Sequence, residues 1–320
     1  MSKTASEPLK KVRSAKALMR CSELLCLLLL AAGGLFFWRK QFHEGWAMAG
    51  LAAVFLLILA LPAHKVYRAQ WKRQHVSAGF GQYAEQVELD ESPHMLPEQF
   101  ELLCLFPCDI HAMQDFTVRR EVRLVCRERM VRIAEMTVPA RIRGLEAMVD
   151  GCLIQMDMPR APMTRLMLTG MAFGEQETLI AWYRKNLRLL PALFSVQQRM
   201  RAFGDGSEPD LRTLNQLRRI TEQRPQNIVL SLAGRELNVF IRNASLLTDA
   251  PIGPARITEE RLRQLAVPEL SAILDFAFDT EALRAGADVP FDDEEDRKQA
   301  GIRYTRPEVD ADYRRPETRP

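Results

Sequence analysis

The residues most suggestive of chemistry in this sequence are the run Cys104-Leu105-Phe106-Pro107-Cys108-Asp109-Ile110-His111. Two thiolates and an imidazole at this spacing could fill three corners of a zinc tetrahedron, since zinc accepts sulfur and nitrogen donors. The spacing matches no zinc-finger or ribbon pattern, however, and apolar residues surround it. Small buried thiols are the commoner arrangement, so no metal or other cofactor is expected. Cys126 and Cys152 likewise fall on the apolar faces of expected strands. General bases are scarce, because only His75, His94 and His111 lie beyond the apolar N-terminal region. There is no glycine-rich phosphate loop, dinucleotide fingerprint, nucleophile elbow or zinc-protease pair. Gly204-Asp205-Gly206 reads as a loop, and Asp109, Asp115, Glu121, Glu135, Asp150 and Asp157 read as strand-edge and turn carboxylates. No catalytic residue is assigned, which points to a non-enzymatic binding or scaffold module. The alternative is an enzyme acting on a membrane-associated substrate, in a body large enough to hold a pocket.

The cations carry a different chemistry. Lys10, Lys11, Arg13, Lys16 and Arg20 precede one apolar run, and Lys65, Arg68, Lys72 and Arg73 follow another. Near an anionic bilayer each such charge is worth on the order of 1 kcal/mol, and each also resists translocation. The leader at 10–20 reads either as a solvated topology determinant or as a basic helix lying on lipid headgroups. Charge is segregated along the chain. Residues 1–73 hold 12 Lys/Arg and 3 Asp/Glu, a net of +9, whereas residues 74–320 are net −6, leaving the overall +3. The body is thus mildly acidic with its arginines interleaved among acids, and nucleic acid is not an expected partner.

Two apolar segments, 21–38 and 46–63, must position these cations. Each gives about 27 Å of helix against a hydrocarbon core of about 30 Å. Only Glu23 intrudes, at an edge. The linker at 39–45 is long enough to turn and too short for a domain, so the pair is expected to form a transmembrane hairpin. Trp38, Trp46, Tyr67 and Trp71 lie at or near the ends, where amphipathic rings favour the interface. Arg39 and Lys40 are the linker's only basic residues, against ten flanking the hairpin. That bias puts both termini in the cytoplasm and the linker outside. A cleaved signal peptide fits poorly, because Phe36-Phe37-Trp38 and a second span follow the small residues at 31–34. Gly33, Gly34, Ala49, Gly50 and Ala53 would let the two helices approach closely.

Beyond the hairpin, residues 64–94 read as a polar juxtamembrane linker interrupted by Gly79 and Gly81. Residues 95–285 read as an α+β domain with a mainly antiparallel sheet. Alternation from Phe116 to Cys126 predicts a strand with one wet face. Further strands are expected at 130–138, ending at Pro139; at 152–158, after an Asp150-Gly151 turn; and at 164–169. Leu179, Trp182, Tyr183, Leu187 and Leu190 have helical spacing, as do the leucines of 209–222. A hairpin turning at Ala233-Gly234 joins 228–232 to 237–241. Thr258 is placed to cap a helix, and another starts at Pro268. The final segment, 286–320, carries 10 acids and 7 basic residues with few large apolar groups. It is expected to be disordered, serving as a solubilising tail or a docking segment.

The order of these features resembles a known family. Phe100-Glu101-Leu102-Leu103-Cys104-Leu105-Phe106, the run from Asp115-Phe116, Val149-Asp150-Gly151, Leu193-Phe194-Ser195-Val196 and the hairpin over 227–241 are its anchors. They resemble the bacterial two-pass membrane proteins carrying domain of unknown function 3137, over most of residues 20–284. The resemblance implies a membrane-anchored bacterial protein and brings no catalytic residues. The expected partners are the lipid bilayer and a protein, or a second copy of the chain, at the membrane.

Overall fold

The computed structural model describes residues 7–103, 105, 106, 108, 114–142, 145–158, 166–173, 188, 189, 200–204, 211–233, 235–252, 256–265 and 267–278. The expected tail at 286–320 and most of the expected helix at 179–190 lie outside them. Within that helix only Arg188–Leu189 is described, and it forms a two-residue strand.

Two helices dominate the N-terminal region. α1 covers Glu7–Trp38 and α2 covers Phe42–Phe80, and both are long and apolar enough to cross a membrane. At 1.5 Å per residue they measure about 48 and 58 Å, well beyond the ~20 residues a span requires. The turn between them is tighter than the expected linker. It is confined to Arg39, Lys40 and Gln41, with Lys40 in the left-handed region at φ 60°. Gly33 supplies the close approach: a Cβ there would lie 3.4 Å from the Gly45 carbonyl oxygen. Gly34 and Gly50 face open space instead, so only part of the small-residue set joins the helices. One π-turn, Leu56–Ala60, interrupts α2. Pro62 follows immediately; its missing N–H and its ring both conflict with the i→i−4 ladder, and a π-turn upstream accommodates that conflict.

α2 does not stop in a linker. It runs through Gly79 to Phe80, because Gly79 faces the body, where a Cβ would come 2.9 Å from the Leu265 side chain. The body is an α+β unit built on one antiparallel sheet. Its strands are β1 Gln86–Asp90, β2 Thr117–Cys126, β3 Arg129–Ile142, β4 Leu145–Asp157, β5 Leu166–Gly170, β6 Arg188–Leu189, β7 Met200–Gly204, β8 Ile228–Ala233 and β9 Glu236–Arg242. The order across the sheet is β1-β2-β3-β4-β9-β8-β5-β7-β6. Helices α3 Pro97–Glu101, α4 Leu211–Thr221, α5 Glu259–Arg263 and α6 Leu270–Phe278, with short 3-10 turns at Met171–Phe173 and Pro225–Asn227, complete the described elements. Thr258 caps α5 as expected, its Oγ1 accepting from the Arg261 N–H at 3.2 Å.

Alternate residues of the strands feed two cores. On one face Val122, Ile133, Ile154, Leu230 and Val239 meet Leu217 and Ile220 of α4, Ile273 and Leu274 of α6, and Val76 and Phe80 of α2. On the other, Val138, Leu153, Val229 and Phe240 meet Phe100, Phe106 and Phe173. Their rings pack mostly edge-on or tilted, with centroids 5.0–6.1 Å apart.

Three strand expectations differ from what is observed. β3 continues past Pro139 to Ile142. β2 ends at Thr117 opposite Thr137, so the proline lies beyond the β2 ladder, where a missing N–H is tolerated. Asp150-Gly151 is not a turn and lies inside β4, paired with Thr137 and Met136. Glycine is required there by close contact, since a Cβ would meet the Ile241 carbonyl oxygen at 2.4 Å and the Phe240 ring at 2.7 Å. Finally, β2 does not keep one face along its length. The pairing shifts between Val118 and Arg120, leaving Arg119 as the extra residue of a bulge. Phe116 and Val118 therefore pack on the phenylalanine core, while Val122 and Leu124 pack on the opposite face.

Candidate functional site

The bulge in β2 has a chemical result. An extra residue in one strand re-aims its neighbours, and here both Arg119 and Arg120 approach Glu135 of β3, at 3.8 and 3.7 Å. Glu135 is buried, and its Oε2 also accepts from the Leu246 N–H at 3.1 Å and the Ser245 hydroxyl at 3.3 Å. Arg119 reaches on to the Thr137 hydroxyl at 3.0 Å and to Asp150 at 2.8 Å. The carboxylate thus ties the bulged strand to the segment that follows β9.

That segment receives the lower end of α2. Tyr67 donates its hydroxyl to the Pro251 carbonyl at 2.9 Å, and the Trp71 indole N–H donates to the Thr248 carbonyl at 2.9 Å. His75 stacks on Trp71 with ring centroids 5.3 Å apart. Its Nδ1 lies 2.9 Å from the Leu262 carbonyl, which can only accept, so Nδ1 carries the proton. Nε2 is then free to accept from the Thr248 hydroxyl at 3.1 Å. Tyr67, Trp71 and His75 are essentially inaccessible to solvent. Tyr67 and Trp71 are therefore not interfacial belt residues; they are the grip of the body on the helix. Trp38 and Trp46, at the opposite end of the hairpin, stay exposed.

α1 enters the same joint. Leu9, Val12, Ala15 and Met19 are buried against Ala63, Tyr67, Trp71, Ile257 and Leu262. The leader's cations divide accordingly. Arg13 donates twice to the Ile257 carbonyl, at 3.0 and 2.7 Å, and Arg20 donates to the Ile252 carbonyl. Lys16 is buried, while Lys10 and Lys11 face outward, Lys11 pairing with Glu7 at 2.9 Å. Glu23 also finds partners, Arg20 at 3.3 Å and His64 at 2.7 Å, in a bridge between the helices where the first apolar band begins and the second ends.

Between α2 and the segment after β9 lies a cleft of about 360 Å³. Arg68, Trp71 and Lys72 line one side, Ser245, Thr248, Asp249 and Ile252 the other, and Arg120 also reaches it. Lys72 lies 3.6 Å from Glu91. Lys65 and Arg73 are exposed on the same helix and are not among the cleft residues. Of the nine cations singled out by position in the chain, the fold thus brings Arg68 and Lys72 together with Arg120, turns Arg13, Lys16 and Arg20 toward the body, and leaves four on the surface.

The other candidates behave as packing or pairing. Cys108 is buried, its Sγ donating to the Phe106 carbonyl at 3.5 Å and its backbone bridging to Ala140. Cys104 and His111 lie outside the described residues. Among the described residues no group of three His, Cys, Asp or Glu could hold a metal. Cys126 and Cys152 are core residues, and burial pushes both thiols up, Cys152 also feeling the Glu135 charge. Glu121, fully buried, receives Arg123 at 2.7 Å and Arg132 at 2.8 Å. Burial alone would raise its pKa, but these hydrogen bonds outweigh it and hold the carboxyl below its ordinary value. Arg123 and Arg132 stand opposite each other across β2 and β3, so Glu121 offsets a like-charge pair that would otherwise weaken the sheet.

The sequence did carry a signal for the joint. Leu9, Val12, Lys16 and Met19, and separately Tyr67, Trp71 and His75, recur at helical spacing, the mark of a face buried against something. No family model and no curated protein matches the chain. Among solved structures it is similar to the crystal structure of the mycobacterial trehalose monomycolate transport factor A, TtfA, at 11% sequence identity over 65% of this chain and 95% of that one, with a TM-score of 0.32.

Proposed function

We propose that this chain is a non-enzymatic module anchored in a bacterial inner membrane, with both termini in the cytoplasm. The hairpin holds the α+β body close beneath the bilayer, where it binds a protein partner or a second copy. One observation carries this reading: α1 and α2 both continue past their apolar bands and are bonded into the body, through Arg13 on one helix and Tyr67, Trp71 and His75 on the other. A flexible tether would leave those helix ends solvated, whereas a buried, hydrogen-bonded joint fixes the body relative to the bilayer. The bias of Lys and Arg away from the turn supports the orientation. The order of apolar anchors resembling the domain-of-unknown-function 3137 family supports the bacterial assignment.

Orientation is tested in the full chain by alkaline phosphatase inserted at Lys40 and green fluorescent protein fused after Pro320. An active phosphatase and a fluorescent C-terminus are expected; the reverse pattern would overturn the topology. Cross-linking in native membranes tests the binding role. A reproducible heteromeric or homomeric adduct is expected, and its absence at several lysine sites would count against a scaffold.

A further inference from the structure

We propose that the cleft beneath the membrane is a binding site for the phosphate of an anionic lipid headgroup. The inference rests on the membrane reading above and names a ligand for it.

Three cations from two elements converge on this space: Arg68 and Lys72 from α2 and Arg120 from the bulged strand. Among the described residues Asp249 is the one acid lining it, and Ser245 and Thr248 supply hydroxyls. Its lining thus offers three cations to one acid, with Glu91 beside Lys72 and Glu135 beside Arg120 just outside it, and its polar donors suit a phosphate oxyanion. Guanidinium groups match that geometry with paired N–H donors. The site is also built: Glu135 holds Arg120, Trp71 is fixed by its bond to Thr248, and the wall from 245 to 252 is pinned by bonds to Glu135, Tyr67, Trp71 and Arg20.

Its depth fits a lipid source. Arg68 and Lys72 lie five and nine residues beyond Ala63, where the apolar segment ends, or about 7.5 and 13.5 Å down the helix axis. The headgroup layer extends about 5–8 Å past the hydrocarbon, and long basic side chains reach upward into it. Ile252, which lines the cleft, is exposed, and its carbonyl accepts from Arg20 of α1.

The test uses the detergent-solubilised full chain, with phosphatidylglycerol and phosphatidylcholine supplied together and lipid adducts counted by native mass spectrometry. The wild-type protein should retain phosphatidylglycerol preferentially. Arg68→Gln with Lys72→Gln should cut that preference by about a hundredfold, the expected loss of two charge-assisted hydrogen bonds to a phosphate. Lys65→Gln with Arg73→Gln removes the same charge from the same helix outside the cleft and should leave the preference within about threefold of wild type. Equal losses in both variants would mean diffuse attraction and overturn the site, as would no loss in either. Displacement of the lipid by inorganic phosphate at equal concentration would also overturn the assignment, in favour of a free-ion site. Unchanged circular dichroism and thermal midpoint of the cleft variant separate lost binding from lost folding. A reversed topology in the reporter experiment would refute the membrane orientation while leaving this lipid preference measurable.

Discussion

Replacing Trp71 by alanine is the most direct probe of the joint. The indole is 1% exposed, stacked on His75 and bonded to the Thr248 carbonyl. Truncating a buried tryptophan costs about 3–5 kcal/mol, of which the hydrogen bond supplies about 1 kcal/mol. For a folded body of this size, each kcal/mol moves the thermal midpoint by about 2–4 °C. A fall of roughly 6–20 °C follows from those two ranges, read by near-ultraviolet circular dichroism in detergent. Trp46→Ala is the comparator: that ring is 70% exposed and touches the Phe37 ring edge at 5.4 Å. An aromatic pair of this kind is worth about 1 kcal/mol, so its midpoint should move by only a few degrees. Trp71→Phe isolates the lost donor, because it keeps most of the ring burial and strands the Thr248 carbonyl, at about 1–3 kcal/mol. If Trp71→Ala shifts the midpoint no more than Trp46→Ala does, α2 is not gripped by the body and the reasoning fails.

Three further outcomes follow from the same packing. Met19→Ala, inside a leader whose charges alone suggest a solvated segment, should cost about 2–5 kcal/mol in denaturant melts, while Leu18→Ala, 58% exposed on the adjacent position, should cost little. Gly151→Ala should destabilise by about 1–3 kcal/mol through overpacking against the Ile241 carbonyl and the Phe240 ring; a melt matching wild type would disprove that close approach. Glu121 has a folded pKa held below its unfolded value, so its contribution is present above the ordinary carboxylate range and is lost as pH falls through the folded pKa. Glu121→Gln should therefore lower stability by about 1–3 kcal/mol at neutral pH and flatten the acid limb of the stability profile; an unchanged acid limb would show that Glu121 is not linked to folding.

Much of the architecture was legible in the sequence, for reasons that can be named. The two apolar bands stand out because nothing but a bilayer or a large core covers eighteen such residues. The β8–β9 hairpin and the Thr258 cap are local, each set by a few adjacent residues. The less legible features depend on partners distant in the chain. Asp150-Gly151 has the composition of a turn, and only the approach of β9, ninety residues later, makes that glycine a strand residue. The bulge at Arg119 is invisible to alternation because both registers of β2 place apolar residues on a face that some core covers. Gly79 suggests a helix break until Leu265 is brought against it. The candidate site divides in the same way. Arg68 and Lys72 could be picked out by their position after the second apolar band, whereas Arg120 joins them only through a strand irregularity and a buried carboxylate.

The two helices that leave the apolar bands also determine how the body can move. A domain on one free helix can swivel about that axis and present any side to its surroundings. Here two rods enter side by side, bridged by Glu23 and His64 and clamped below by the body, so the body has a fixed compass bearing relative to the hairpin. One residue inserted in α2 just after His64 would rotate everything beneath it by about 100°, while α1 would resist that rotation. The hairpin therefore acts as a keyed shaft: a turn or tilt of the two helices becomes a turn or tilt of the sheet.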